Sequence, residues 1–342
     1  MAFLCATALQ AEIVYKVIDL GTLGGHYSFA SSINDAGQIV GDATHEPRLA
    51  DHYPTLFDAT GAGNNIALGD YGGSYCINNA GQIVGVAEHN YGPRHATLFD
   101  TTGAGNNIDL GTLGGDLSDA HSINDAGQIV GWAETSKYLP HATLFDRTGA
   151  GNNIDLGTLG GDWSEGLSIN DSGQIVGWAQ NSQGDHRATL FDPTGAGNNI
   201  DLGTLGGDSS EAVSINDAGQ IVGYATNTQW DEYTQWQHRA TLFDHTGAGN
   251  NIDLNTLIDP ASGWTLRYAN DINNSGWIVG SGRNPQGEYH AFLLVPKPPC
   301  LYRLAGDLSD DCRVDFADLA VMAANWLVDC AAVPTDPACV PK

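Results

Sequence analysis

The amino-acid sequence predicts an all-β fold: a six-bladed β-propeller of four-stranded antiparallel blades, followed by a small segment with a calcium loop and a helix. Three observations support this prediction. One unit of about 46 residues occurs six times along the 342-residue chain. Each unit contains four short apolar segments, and no segment among the repeats keeps a helical period. Four strands in a repeat of this length are typical of a propeller blade.

The first two strands of each unit are joined by a recurrent motif, Ser-Ile-Asn-Asp-Ala-Gly-Gln-Ile-Val-Gly in its commonest form. The first Asn of the motif is residue 34, 78, 124, 170, 216 or 273. Asn, Asp and Gly accept the positive φ angles of tight turns, so Asn-Asp-Ala-Gly predicts a hairpin. The Ile-Val that follows is β-branched and apolar, as expected of a strand that is covered on both faces.

The third and fourth strands correspond to the motifs Ala-Thr-Leu-Phe-Asp and Asp-Leu-Gly-Thr-Leu-Gly-Gly, each present six times if degenerate copies are included. The Thr-Gly-Ala-Gly-Asn-Asn turn that joins them occurs only five times. The first Asp-Leu-Gly strand (residues 17–21) and the last Leu-Phe-Asp equivalent (290–295) therefore lack hairpin partners. Pairing of these two strands would complete the sixth blade and close the ring. The alternative is an open β-solenoid with distant termini.

The charge balance excludes two classes of partner. The chain has 40 acidic and 13 basic residues, and its net charge is −27. Such a surface repels phosphate backbones and anionic lipid headgroups, so we expect neither nucleic-acid binding nor attachment to an anionic membrane. Beyond the first residues, no apolar run is long enough to predict a membrane span.

Residues 1–11 are apolar and rich in small side chains, which is typical of the end of a signal peptide. Ala6-Thr7-Ala8 provides a cleavage site of the expected kind, and a lipoprotein anchored through Cys5 is the alternative. The sequence therefore divides into a signal-peptide remnant at 1–11, six repeats at 12–296 and a tail at 297–342. We expect the protein to be secreted.

The three repeated motifs, which recur in the same order over about residues 15–296, resemble the HAF repeats of bacterial extracellular proteins. This resemblance implies an extracellular or cell-surface location. It implies little about activity, because the family is defined by its repeats and because one fold carries many functions.

The tail contains a twelve-residue loop with oxygen-bearing groups at positions 1, 3, 5, 7, 9 and 12. This spacing supplies the six or more oxygens that Ca²⁺ prefers. Together with the apolar helix predicted after it, the loop resembles one half of a type I dockerin, which implies a cohesin-like partner on a cell surface. Cys312 replaces the Gly that is expected at position 6, and a second loop is missing. The predicted ligands are Asp307, Ser309, Asp311, the carbonyl of Arg313, Asp315 and Asp318.

Four of the six cysteines also lie in this tail, which predicts a disulfide-stapled segment in an oxidising compartment. Four cysteines allow three pairings, and the sequence does not select one. If the loop binds no calcium, the tail is a disulfide-stapled cap with a solvated acidic loop. The four are Cys300, Cys312, Cys330 and Cys339.

A search for catalytic motifs finds no nucleophile elbow, no zinc-binding His pair and no phosphate-binding loop. The histidines mostly recur with the repeat, which favours a shared structural role. The adjacent acids Asp231 and Glu232 would face opposite ways on a strand. We therefore expect no catalytic residue and no enzymatic activity.

Two departures from the repeat indicate where a ligand could bind. The residue after Ile-Val-Gly is aromatic in three successive units, which predicts either a stacking platform for sugars or packing between blades. The longest insertion, at residues 226–237, is also rich in aromatic residues, as binding loops often are. The candidates are Trp132, Trp178 and Tyr224 in the repeats, and Trp230, Tyr233 and Trp236 in the insertion.

These observations together favour a non-enzymatic binding or scaffold protein that presents loops to a glycan or protein partner and is anchored by its calcium-binding tail. One alternative is a structural subunit of a surface layer or filament. Another is a polysaccharide-active enzyme, which would need a cluster of carboxylates or histidines outside the repeated positions.

Overall fold

The computed structural model describes residues 14–45, 48–67, 76–88, 93–100, 106–228 and 238–297. The chain divides into two compact units, and nearly all the described residues belong to the unit Val17–Val295. The predicted calcium loop and residues 229–237 of the insertion lie outside the described residues. Within the described ranges no helix is long and apolar enough to span a membrane.

Six four-stranded antiparallel sheets form the blades of a propeller, so the predicted fold class is confirmed for the repeats. In sequence order, the strands of blades 1 to 3 are β2 (Ser28–Ile33), β3 (Ile39–His45), β4 (Arg48–Phe57) and β5 (Ile66–Ala67); β6 (Cys76–Ile77), β7 (Ile83–Glu88), β8 (Arg94–Phe99) and β9 (Ile108–Asp109); and β10 (Gly114–Ile123), β11 (Ile129–Thr135), β12 (Pro140–Phe145) and β13 (Ile154–Asp155).

Blades 4 to 6 repeat this arrangement, and two short 3-10 turns, Leu254–Leu257 and Pro260–Ser262, precede the sixth blade. Their strands are β14 (Gly160–Ile169), β15 (Ile175–Asn181), β16 (His186–Phe191) and β17 (Ile200–Gly203); β18 (Gly206–Ile215), β19 (Ile221–Asn227), β20 (His238–Phe243) and β21 (Ile252–Asp253); and β22 (Thr265–Ile272), β23 (Ile278–Arg283), β24 (Tyr289–Lys297) and β1 (Val14–Asp19).

The ring is closed by the first strand of the chain, because β1 is the outer strand of blade 6 beside β24. The backbone N–H of Leu20 donates to the carbonyl of Ala291 at 3.1 Å. His290 Nδ1 lies 2.8 Å from Asp19 Oδ1. The predicted pairing of the two orphan strands is therefore confirmed, and the open solenoid is wrong.

The Asn-Asp-Ala-Gly hairpins hold neighbouring blades together at one end of the ring. In blade 4 the side chain of Asn170 accepts a hydrogen bond from Gln174 N at 2.9 Å, and Gly173 completes the turn with a positive φ of 78°. The amide of Asn170 donates to Asn216 O of the next blade at 3.0 Å. Equivalent bonds join Asn78 to Asn124, Asn124 to Asn170, Asn216 to Asn273, and Asn273 to Asn34. We call these six asparagines the asparagine belt.

The Thr-Gly-Ala-Gly-Asn-Asn turns form a second set of links at the outside of the ring. In blade 4 the Asp192 carboxylate accepts hydrogen bonds from Thr194 Oγ1 at 2.7 Å and Asn198 Nδ2 at 2.8 Å. These bonds to Thr194 and Asn198 lower the pKa of Asp192 to about 2. Asn199 donates to Leu156 O of blade 3 at 2.7 Å. We call these turns clasp loops; the four that are described include Asp58, Asp146, Asp192 and Asp244.

Apolar side chains fill the space between neighbouring blades. Between blades 3 and 4, for example, Val130, Leu156 and Phe191 belong to one buried cluster. The first two strands of each blade approach so closely that a methyl group on Gly177 would overlap the carbonyl oxygen of Glu165. The Gly of Ile-Val-Gly is thus required by the packing of the second strand against the first.

Candidate functional site

The inner strands of the blades surround the axis of the ring, and one of their positions differs from blade to blade. On either side of this position, small residues face the preceding blade: Ser164 Oγ of β14, for instance, accepts a hydrogen bond from Ala142 N of blade 3 at 2.9 Å. The residue between them lies on the opposite side of the strand and is half-buried. This variable position holds Phe29, Asp119, Glu165, Glu211 and Tyr268 in blades 1, 3, 4, 5 and 6.

Glu165 is the best connected of the three acids. Its Oε2 accepts a hydrogen bond from Trp178 Nε1 at 3.1 Å, and its Oε1 lies 3.4 Å from His121 Nδ1 of blade 3. Burial raises the pKa of Glu165, and the nearby charge of Asp119 adds to this, while His121 acts in the opposite direction. Burial also raises the pKa of Asp119, again opposed by His121. One imidazole is thus shared between two carboxyl groups.

Glu211 extends this group into blade 5. Its Oε2 accepts a short hydrogen bond from the Tyr224 hydroxyl at 2.6 Å. Burial raises the pKa of Glu211, and the hydrogen bond from Tyr224 only partly opposes that effect. Burial and the Glu211 charge hold the pKa of Tyr224 well above its usual range, so the phenol remains a donor. We call Asp119, Glu165 and Glu211, together with His121, the carboxyl arc.

Aromatic rings continue the arc towards blade 6. Tyr224 stacks on His238 with ring centroids 4.8 Å apart and meets Tyr268 edge-on at 5.0 Å. His238 Nδ1 lies 2.7 Å from the Tyr268 hydroxyl, and burial lowers the pKa of His238. Polar and aromatic groups therefore run without interruption from the carboxyl arc to Tyr268.

Tyr268 also lines a cavity that lies between blades 6 and 1 and has a volume of about 870 Å³. Phe29 and Tyr289 form further aromatic walls, with their ring centroids 5.5 Å apart. Asn270, Ser281, Arg283 and Glu288 supply polar groups. We call this space the seam cavity, because it lies where the first and last blades meet.

The three aromatic candidates from the repeats are neighbours of the arc. Trp132, Trp178 and Tyr224 are the cross-strand partners of Asp119, Glu165 and Glu211, respectively. All three are half-buried, and Trp178 stacks on His186 with ring centroids 4.2 Å apart. Trp178 and Tyr224 orient carboxyl groups rather than form an open platform. The candidates from the insertion, Trp230, Tyr233 and Trp236, lie outside the described residues, as do Asp231 and Glu232.

The other histidines with a recurrent position fit the structural role that the sequence indicated. His95 Nδ1 lies 2.9 Å from Asp109 Oδ1, and His141 Nδ1 lies 2.9 Å from Asp155 Oδ1. Each pair ties the third strand of a blade to the fourth. His121 is different, because it occurs on one inner strand only.

No metal site can be built from the described residues, since they contain no group of three or more His, Cys, Asp and Glu side chains arranged to hold an ion. The predicted calcium ligands Asp307, Ser309, Asp311, Arg313, Asp315 and Asp318 are outside the described part of the chain. Calcium binding by the tail therefore stays a prediction.

Sequence reasoning missed the carboxyl arc for an identifiable reason. Its acids are 46 residues apart and are embedded among repeated residues, so no local motif marks them. The signal was present in an alignment of the units, where the fourth residue after Gly-Gly is Phe29, Asp119, Glu165 or Glu211, and Tyr268 holds the same register position in blade 6. A unique site in a repeat protein is formed by such departures.

No family model and no curated protein matches the sequence. Among solved structures, the chain is similar to a gluconolactonase from Xanthomonas campestris, with a TM-score of 0.50 and 12% sequence identity. The match covers 85% of this chain and 93% of that protein. At this identity the likeness is one of fold.

These findings correct the interpretation of the chain as a non-enzymatic binding or scaffold protein. The ring that was interpreted as a scaffold is an architecture that also carries an enzyme. Catalysis of this kind needs a cluster of carboxyl groups or histidines, and the carboxyl arc brings three carboxyl groups and one imidazole together. The expectation of no enzymatic activity is corrected by this likeness, whereas the expectation of no catalytic residue stays a prediction.

Proposed function

We propose that the chain is a hydrolase that opens a sugar-derived lactone by general acid–base catalysis at the carboxyl arc. The observation that carries this proposal is the convergence of three half-buried carboxyl groups and one imidazole on successive inner strands. The shared architecture with a gluconolactonase supports it at the level of the fold.

Hydrolysis of a lactone requires a base and an acid. The base removes a proton from water as the water oxygen bonds to the carbonyl carbon, and the acid donates a proton to the ring oxygen as its bond to that carbon breaks. The product is an open-chain hydroxy acid, so water is the only co-reactant. Groups that titrate near neutral pH perform both steps best.

His121 is the proposed base. Its Nδ1 lies 3.4 Å from Glu165 Oε1, within ion-pair distance but not in a formed hydrogen bond, and Nε2 is the atom that accepts the proton from water in this proposal. The imidazole acts on both carboxyl groups, since its charge opposes the rise in the pKa of Glu165 and of Asp119. His121 therefore combines with two carboxyl groups in the way that a general base requires.

Glu211 is the proposed acid. Burial raises its pKa, so it keeps its proton to a higher pH than an exposed Glu does. The Tyr224 hydroxyl, 2.6 Å from Oε2, fixes the orientation of the carboxyl group. Trp178 plays the corresponding part for Glu165 through its bond of 3.1 Å.

The test is a pH-stat assay of the hydrolysis of glucono-, galactono- and xylono-δ-lactone, with the spontaneous rate subtracted. We expect the protein to accelerate at least one of these reactions, and Glu211→Gln and His121→Asn each to reduce the acceleration about 10²- to 10⁴-fold, the usual effect of losing a general acid or base. Asp162→Asn and Asp208→Asn are matched controls, because they remove exposed acids from the same inner strands, β14 and β18. Acceleration of none of the three lactones, or equal loss in the controls, would contradict the proposal.

The other expectations from the sequence remain predictions. An extracellular location rests on the resemblance to HAF repeats, and the calcium loop with its cohesin-like partner rests on residues 307–318, outside the described residues. None of them conflicts with hydrolysis at the ring.

A further inference from the structure

Ser281 lines the seam cavity at a register position that is aromatic in blades 3 to 5 and is not aromatic in blades 1, 2 and 6. The position after Ile-Val-Gly holds Trp132, Trp178 and Tyr224 in blades 3 to 5, each opposite a residue of the inner strand. Blade 6 has Ser281 at this position. The inner strand of the next blade contributes Phe29, and the space between blades 6 and 1 remains open.

The walls of this space have the chemistry of a sugar-binding site. The faces of Phe29, Tyr268 and Tyr289 are apolar surfaces of the kind that pack against the C–H groups of a pyranose ring. Asn270 is held in place by its bond to Ala30 O at 2.7 Å. The lining thus combines aromatic faces with polar side chains, a combination that small-molecule sites use to bind and orient a ligand.

The charges favour a neutral ligand. Arg283 contributes one positive charge to the lining, and Glu288 contributes one negative charge. The Glu288 carboxylate lies 3.3 Å from His26 Nδ1 and 3.5 Å from His290 Nε2. The cavity is therefore close to electroneutral, while the net charge of −27 on the whole chain repels acidic sugars at long range.

The volume and position of the seam cavity fit a ligand larger than one sugar ring. A cavity of about 870 Å³ is within the range of pockets that hold drug-sized ligands, which exceed a single sugar ring in size. Tyr268 belongs both to the cavity wall and to the aromatic path that leads to Glu211. A ligand in the seam cavity thus contacts a ring, Tyr268, that packs against Tyr224, the hydrogen-bond partner of Glu211.

We infer that the seam cavity binds a neutral sugar ring of an oligosaccharide, so that the substrate at the carboxyl arc is one unit of a longer, uncharged sugar chain. The second half of this inference rests on the proposed hydrolase function. The first half, sugar binding in the cavity, does not depend on catalysis.

Calorimetric titration tests the inference without an activity readout. The probes are cellotriose, xylotriose and mannotriose, with trigalacturonate as the charged comparison. We expect at least one neutral trisaccharide to bind, and to bind more tightly than trigalacturonate. Binding of none of the neutral probes, or tighter binding of trigalacturonate, would overturn the inference.

The chain itself suggests the decisive variant. Ser281→Trp introduces the residue that blades 3 and 4 carry at this register position, so it fills the cavity with a side chain that the fold already accommodates. We expect it to weaken binding at least tenfold, whereas Ser281→Ala, which leaves the cavity open, changes affinity less than threefold. Unchanged binding by Ser281→Trp would overturn the inference.

Arg283→Ala provides a second measurement if Ser281→Trp fails to fold, which thermal melting will show. Arg283 is exposed, so its removal leaves the packing intact. We expect a three- to tenfold loss of affinity for the neutral trisaccharide, and affinity equal to that of the unmodified protein would contradict a role for this cavity. Sugar binding without lactone hydrolysis would contradict the proposed function and support the sugar site. Lactone hydrolysis without sugar binding would support the proposed function and contradict the sugar site.

Discussion

Two sets of carboxyl groups in this protein have pKa values that are shifted in opposite directions. The Asp residues of the clasp loops are exposed and surrounded by hydrogen-bond donors, so the pKa of Asp192 falls to about 2. The acids of the carboxyl arc are half-buried, and burial raises the pKa of Glu165 and Glu211. The same chemical group is stabilised as an ion at one place and destabilised as an ion at the other.

The difference separates residues that build the ring from residues that can react. Clasp-loop acids recur from blade to blade and each makes the same bonds, as expected of groups that contribute to folding. The arc acids occupy one register position in blades 3 to 5 only, with Phe29 and Tyr268 at that position in blades 1 and 6, and the burial of Glu165 and Glu211 lowers stability at neutral pH. Titratable groups that are held against their ionised state are candidates for catalysis.

The largest predicted effect is a loss of stability when the asparagine belt is broken. Asn170→Ala removes three hydrogen bonds of the asparagine belt, to Gln174 N, Gln174 Oε1 and Asn216 O, and takes the acceptor away from Gln174 N. We expect a loss of about 3 kcal/mol in the free energy of unfolding, measured in urea, with the fold retained.

Ser172→Ala is the control for that experiment, because Ala126 and Ala218 occupy the same turn position in the neighbouring blades. It should change the free energy of unfolding by less than about 0.5 kcal/mol. If Asn170→Ala proved as mild as its control, the belt would not hold the blades together.

A smaller effect is expected in the clasp loops. Asn199 joins blade 4 to blade 3 through its bond of 2.7 Å to Leu156 O, and it also accepts from Asp192 N at 2.8 Å. Asn199→Ala should lower the free energy of unfolding by about 2 kcal/mol. Its neighbour Asn198 bonds only within the exposed loop, so Asn198→Ala should lose less than about 1 kcal/mol. Equal losses would show that the clasp does not act between blades.

The smallest effect is the change in stability when one carboxyl group is replaced by an amide. Its sign is expected to be opposite for an acid of the carboxyl arc and an acid of the clasp loops. The folded-state pKa of Glu211 is raised, so ionisation of Glu211 opposes folding above that pKa, and this penalty disappears below the ordinary Glu pKa. Glu211→Gln should therefore increase the free energy of unfolding by about 1 kcal/mol at pH 8, and by nothing measurable near pH 4.

Asp192→Asn should behave in reverse. The lowered pKa of Asp192 contributes stability above the ordinary Asp pKa, and that contribution is lost as the pH falls towards about 2. The variant is expected to be less stable than the parent at pH 7, with the gap narrowing below about pH 4. Urea unfolding at a series of pH values measures both variants. Destabilisation by Glu211→Gln at pH 8 would contradict the distinction between the buried acids of the carboxyl arc and the exposed acids of the clasp loops.

The fold could be predicted because each of its determinants is local or repeated. The Asn-Asp-Ala-Gly turn is specified by residues a few positions apart, and the missing partner of residues 17–21 followed from counting turns. The sequence also led to Trp178 and Tyr224, which the structure places across the strand from Glu165 and Glu211. It identified the neighbours of the site and passed over the acids themselves.

The site could not be predicted from local patterns, because it forms only when blades 3, 4 and 5 lie side by side. The contact between His121 and Glu165 joins two blades, and nothing in the spacing of the two residues specifies how far the inner strands are apart. The pKa of each acid depends on its burial, which is a property of the assembled ring. The seam cavity likewise depends on the meeting of the first blade with the last.

Closure by β1 also has a consequence for the order in which the protein folds. The contact of His141 with Asp155 joins residues 14 positions apart, whereas the same contact at the seam, His290 with Asp19, joins residues 271 positions apart. In a flexible chain the longer loop costs about 3 kcal/mol more to close. The first five blades can therefore form during synthesis, one after another. Blade 6 can form only when β22, β23 and β24 have been made and can pair with β1. Until it forms, the strand edges at the seam stay unpaired, and this is the stage at which a newly made chain is most open to proteases and to pairing with another copy.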